Sequence, residues 1–202
     1  ISLSFAATLL GTWLLPLDQA IYLGVAISVA AFVRRASLLR ITTLAVDANG
    51  RVREASDDEG HSCRHVRALH VEGALFFGSS DELRQAIHDA ASDPEVKAVV
   101  VRLKRARGLD ATSMAMLEAS AESLRGRGQK LLLVGMRPRA MKRLQDSGAA
   151  HSIGAENLFP TQAVWFQALD QALRAALDHA GDHGPCPVDD YLRVRGEAPP
   201  IT

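Results

Sequence analysis

The first 33 residues carry one charge, Asp18, and Arg34 and Arg35 follow at once. A stretch of that kind must be covered by lipid or by protein, and the soluble-looking sequence after it offers no counterpart. Residues 1–17 and 19–33 are each uncharged, and Pro16-Leu17-Asp18 between them is a turn signal. The runs are 17 and 15 residues long, somewhat short of the roughly 20 that cross a hydrocarbon core of about 30 Å. Two short helices fit a hairpin packed among other membrane helices. Ala6, Ala7 and Gly11 on the first run, with Gly24, Ala26, Ser28, Ala30 and Ala31 on the second, allow close helix approach in lipid. Trp13 and Tyr22 flank the turn, where an interfacial aromatic belt would sit.

Two other readings compete. A signal peptide needs a positive start before its apolar core, and this sequence lacks one. A buried hairpin of a soluble protein suits runs this short. On the membrane reading, Arg34, Arg35 and Arg40 place the end of the second run in the cytoplasm by the positive-inside rule. The first residue is Ile1 rather than Met, which leads us to expect a piece of a longer reading frame.

The 202 residues are enough for one domain and an attachment. Lys and Arg balance Asp and Glu at 23 each, so bulk charge gives no argument for nucleic-acid binding. Cys63 and Cys186 lie far apart in polar stretches, which predicts free thiols in a reducing compartment rather than a disulfide framework.

Beyond Arg35 the pattern alternates. Ile41–Val46 and a partner starting at Val52 predict a strand pair around the Asp47-Ala48-Asn49-Gly50 turn. The acidic run Asp57-Asp58-Glu59 reads as a solvated loop. A strand begins at Val66. Ser79 with Glu82 predicts a capping box opening a helix to about Ala91, and Asp93-Pro94 stops it. Ala98–Leu103 is a buried strand by its β-branched run. A helix over about 111–124, a strand over 130–134, a helix starting at Pro138 and a last helix over about 161–179 follow. Such alternation predicts an open sheet with helices packed on it. The Pro-containing tail from Gly181 reads as disordered.

The order of these pieces resembles the C-terminal end of SulP-type (sulfate permease family) anion transporters. There the last transmembrane helices lead into a cytoplasmic STAS domain, the module shared by sulfate transporters and anti-sigma-factor antagonists. The motifs that carry the resemblance are LPLDQAIYLGVAISVAAFVRRAS (Leu15–Ser37), EGALFFGSSDEL (Glu72–Leu83) and LDATSMAMLE (Leu109–Glu118), followed by Gly135-Met136-Arg137-Pro138. The fold it implies is α/β: a STAS-like open β-sheet with packed helices, preceded by a transmembrane helical hairpin. The domains are then a hairpin over 1–35, a STAS domain over 36–180 and a disordered tail over 181–202. The implied function is secondary active transport of sulfate or a related anion, with the STAS domain in a regulatory or assembly role. The transported substrate would bind in earlier helices outside this chain.

Asp110-Ala111-Thr112-Ser113 occupies that family's Asp-x-Ser/Thr-Gly position at a strand-to-helix turn. In the soluble antagonists the hydroxyl before the Gly is phosphorylated, and here that position is Thr112, with Ser113 replacing the Gly. A phosphate there would meet free backbone N–H groups and the positive end of the helix dipole. The plainer reading makes Asp110 a helix cap, with Thr112 and Ser113 filling the first turn. Phe76-Phe77-Gly78-Ser79 lacks the Lys of a phosphate cradle and reads as aromatic packing plus a cap. His61, Cys63, His65 and His70 lack metal-ligand spacing. Arg102, Lys104, Arg105 and Arg107 form a basic run that solvates a strand end or meets anionic lipid or the membrane domain. Asp18 belongs to an interfacial turn.

With no nucleophile–base pair and no paired carboxylates, the sequence predicts no enzyme, no cofactor and no metal site. The expected partners are membrane lipid, the remaining transmembrane domain, a second copy in a homodimer and a regulatory protein at the STAS domain; nucleic acid is not among them. The expected location is the inner (plasma) membrane, multi-pass, with the STAS domain in the cytoplasm. The rival reading is a membrane-tethered STAS regulator of the anti-sigma-factor-antagonist type, switched by phosphorylation at Thr112.

Overall fold

The computed structural model describes residues 16–36, 39–46, 52–54, 63–163, 166–182, 184 and 186–197. The chain divides into two compact units, Ile1–Leu38 and Leu39–Thr202.

In the first unit, helix α1 spans Leu17–Ala36. Several of its large apolar side chains face outward: Tyr22 is 74% and Phe32 72% exposed, and Ile21, Val25 and Val29 are each more than half exposed. The expected transmembrane hairpin does not emerge as such. Its first run lies outside the described residues, and among those described no helix is long and apolar enough to cross a membrane. Asp18 sits in the first turn and Arg34-Arg35 near the last, so the uncharged stretch rises only about 22 Å against a core of about 30 Å.

The second unit is built on a six-stranded sheet of order β2-β1-β3-β4-β5-β6. Its strands are β1 (Arg40–Val46), β2 (Val52–Glu54), β3 (Val66–Ala74), β4 (Ala98–Arg107), β5 (Lys130–Met136) and β6 (Leu158–Pro160). Strand β1 runs antiparallel to both of its neighbours, and β3 to β6 are parallel. The helices are α2 (Phe77–Ala90), α3 (Ala111–Arg125), α4 (Pro138–Asp146), α5 (Ala149–Ile153), α6 (Gln167–Ala180) and α7 (Pro187–Glu197).

The central strands are covered on both faces, which is why their sequence is continuously apolar instead of alternating. On β4, Val99, Val101 and Leu103 enter one core, while Ala98 and Val100 enter the other. On β5, Leu131 and Leu133 oppose Leu132 and Val134 in the same way. The first core is completed by Leu83 and Ile87 of α2, Leu117 and Leu124 of α3, and Leu144 of α4. The second is completed by Leu169, Ala172, Leu173 and Leu177 of α6, with Val188, Tyr191 and Leu192 of α7. Gln129 ties a loop to the first core, its buried amide donating to the carbonyls of Ala91 (3.0 Å) and Val96 (2.9 Å).

Three expectations are corrected. The tail from Gly181 forms α7 over much of its length. Pro187 is its first residue, a place that suits proline because that N–H has no helical partner, and Val188, Tyr191 and Leu192 make a buried stripe at i, i+3, i+4. The two cysteines, read as lying in polar stretches, are both buried in the second core, and Cys186 is hydrogen-bonded to Cys63. That bond, together with burial, pushes the Cys186 thiol up. Finally, α2 begins at Phe77, so Ser79 is its third residue rather than its cap. Its Oγ accepts from the Phe76 N–H at 3.1 Å and lies 2.8 Å from the Ala74 carbonyl.

Candidate functional site at the carboxyl ends of the parallel strands

Strand β4 ends at Arg107, and the chain must turn sharply to start α3. Gly108 does this with φ +75°, where a Cβ would lie 3.3 Å from the Leu75 carbonyl oxygen. Leu109 is then buried, and Asp110 is extended with φ −97° and ψ 176°. The Asp110 carboxylate accepts from the Ser113 N–H at 2.8 Å. It is an N-cap, as the plainer reading had it.

The two hydroxyls beside that cap differ sharply. Thr112 is exposed on the first turn, where the N–H groups lack helical acceptors. Ser113 is fully buried, its Oγ 3.1 Å from Ser80 Oγ between α3 and α2. Ser80 gives its proton to the Phe76 carbonyl at 3.0 Å, so Ser113 is the donor to Ser80. A modifying enzyme can reach Thr112 and not Ser113. Replacing the family's glycine by Ser113 also strains nothing, because this position is helical and the left-handed turn falls at Gly108.

The basic run of β4 divides into separate environments. Arg102 Nη1 lies 3.4 Å from Nδ1 of His70, whose Nε2 is 3.0 Å from the Glu72 carboxylate. Those partners assign the proton to Nε2, donating to Glu72 while Nδ1 accepts from Arg102. Burial lowers the His70 pKa; the Glu72 hydrogen bond opposes this and the Arg102 charge reinforces it. Glu72 is held below the usual carboxylate range by its hydrogen bond from Arg105, and secondarily by His70. On the second face Arg102 lies over the Phe166 ring, 5.4 Å from its centre, and Arg195 of α7 approaches the same ring at 5.6 Å. Tyr191 donates to Asp170 at 2.6 Å, locking α7 to α6. Lys104 packs over Gly135, whose φ of +77° bends β5 beneath it.

The histidine and cysteine run does not converge. Cys63 enters the second core, His65 Nδ1 lies 2.8 Å from the Glu95 carbonyl, and His70 joins Glu72. His61 lies outside the described residues, and among those described no three such side chains gather.

The last basic residue, Arg107, goes elsewhere. It joins Arg137, Arg139 and Arg143 around a cleft beside the Gly108 turn. Sequence reasoning passed over these three partners. The available signal was Arg137 and Arg139 bracketing Pro138, with Arg143 one helical turn beyond Arg139.

A family model for the STAS domain matches residues 61–164. The chain belongs to the STAS domain family. It is similar to YvdB of Bacillus subtilis, a candidate sulfate transporter by name: 26% identical over 89 residues, covering 44% of this chain and 17% of YvdB. Its fold is that of the matching part of murine Solute Carrier 26 family member A9, an anion transporter in the inward-facing state. There the TM-score is 0.66 at 16% identity, with 86% of this chain and 28% of the transporter covered. A further SLC26A9 structure matches with TM-score 0.68 at 16% identity, over 86% of this chain and 29% of that one. The chain therefore spans under a third of the length of each of these proteins.

Proposed function

We propose that this chain is the C-terminal part of a SulP-type secondary active transporter of sulfate or a related anion. Its STAS domain takes a regulatory or assembly role at the cytoplasmic face of the inner membrane, and the transport path belongs to helices outside this chain. The observation that carries the reading is the pairing of a STAS domain with an upstream helix whose large apolar side chains point outward. Ile21, Tyr22, Val25, Val29 and Phe32 cannot stay in water without cost, and lipid or neighbouring apolar helices would cover them. The similarity to YvdB supports the same reading. The whole reading frame that encodes this chain is expected to restore labelled sulfate uptake to cells lacking their own sulfate transport. Absence of anion uptake, together with no further apolar segments upstream of Ile1, would sink the proposal.

A second reading has its own support in the exposure of Thr112. A membrane-tethered STAS regulator would bind a kinase or anti-sigma-type partner and be switched there. A phosphate on Thr112 would meet the N-terminal amides of α3, while the buried Ser113 hydroxyl keeps α3 joined to α2. Incorporation of labelled phosphate that vanishes in Thr112→Ala supports this reading. Phosphorylation absent under every growth condition tested removes it.

A further inference from the structure

Strands β3, β4 and β5 are adjacent and parallel, and their carboxyl ends open on one cleft of about 290 Å³. In open sheets that end is where ligands are held. The floor is apolar and well buried: Leu75, Leu103, Leu109 and Met136 are each under 8% exposed. Four arginines, Arg107, Arg137, Arg139 and Arg143, also line it, and no carboxylate is among the lining residues.

One of these arginines is already held. Arg143 Nη1 donates to the Leu109 carbonyl at 2.9 Å, which fixes it against the turn. Arg107, Arg137 and Arg139 are exposed and make no ion pair or side-chain hydrogen bond among the described residues. Asp110, the carboxylate next along the chain, caps the Ser113 N–H. Four like charges around one cleft repel one another, and an anion would relieve that repulsion. Guanidinium forks match the oxygens of phosphate and carboxylate groups. The floor would take the apolar body, since ligand sites combine apolar walls with a few polar anchors.

We propose that this cleft binds a small organic anion, an oxyanion headgroup held by Arg107, Arg137 and Arg139 on an apolar body seated over Leu75, Leu103 and Met136. The site stands whether or not the chain belongs to a transporter. Because it adjoins the Asp110–Ser113 turn, an occupant would lie beside the start of α3.

The test is calorimetric titration of the full chain in phosphatidylcholine nanodiscs with hexyl phosphate, empty nanodiscs serving as the baseline. Hexyl phosphate is expected to bind at least about tenfold more tightly than inorganic phosphate, which lacks the apolar body, or hexan-1-ol, which lacks the charge. The double variant Arg107→Gln/Arg139→Gln should weaken it by about tenfold or more. Arg174→Gln, on α6, should leave it unchanged. Nanodiscs containing phosphatidic acid then identify the source: apparent affinity falls if a lipid headgroup reaches the cleft, and stays if a free anion is the ligand. The site is overturned if hexyl phosphate binds no better than both controls. It is equally overturned if the double variant, folded by circular dichroism and thermal midpoint, binds as the parent does.

Discussion

The two faces of the sheet are covered by different means. The first carries α2 to α5, which follow one another between residues 77 and 153, and its aliphatic core is joined at the helix contacts by buried polar groups, Ser80, Ser113 and Gln129. The second is closed by α6 and α7 from the C-terminal end of the chain, and it mixes apolar side chains with the cysteine pair and the Tyr191–Asp170 contact. Identical strands therefore carry one face with helices interleaved between them in the chain and the other with a late C-terminal seal.

The largest expected break of this contrast comes from removing the seal. Deleting residues 182–202 takes Val188, Tyr191 and Leu192 from the second core. At about 1.5–3 kcal/mol for each buried large side chain, the loss should be on the order of 5 kcal/mol in urea unfolding. A tail without structural role would leave the midpoint unmoved. On the first face, Leu117→Ala removes a fully buried side chain and should cost about 3 kcal/mol, with an unchanged denaturant slope. A cost well under 1 kcal/mol would mean that Leu117 is not tightly packed.

The smallest effect concerns the polar group at the sheet. His70 has a native pKa below 6.5. Its contribution is complete above pH 6.5 and is lost as pH falls through the lowered native value, since the unfolded chain binds the proton first. Between pH 7.5 and 5.5 the thermal midpoint should drop, and less so in His70→Gln. Equal slopes for parent and variant would remove His70 from the account.

Legibility followed locality. The Ala98–Leu103 strand and the Asp110 cap were readable because each depends on a few neighbouring residues. The extension of β4 through Lys104–Arg107 was not, because those charged residues are extended by pairing with Glu72–Ala74, more than 30 positions away. Proline content hid α7, whose stripe is only three residues deep. Ser79 was misplaced because a hydroxyl serves as cap or as third helical residue equally well, and the Phe76 N–H decides between them. The STAS family itself was readable from ordered motifs. The arginine cleft was not, since its lining comes from three segments that only the parallel sheet brings together.

The outer strand β6 contributes only Leu158, Phe159 and Pro160 to the sheet. Its last residue lacks an N–H, so this margin offers almost no template on which another chain's strand could add. If many copies of the domain crowd one surface, as the proposed setting implies, this blunt border would keep a neighbour's strand from extending the sheet at β6. At this margin, assembly would then have to proceed through side chains.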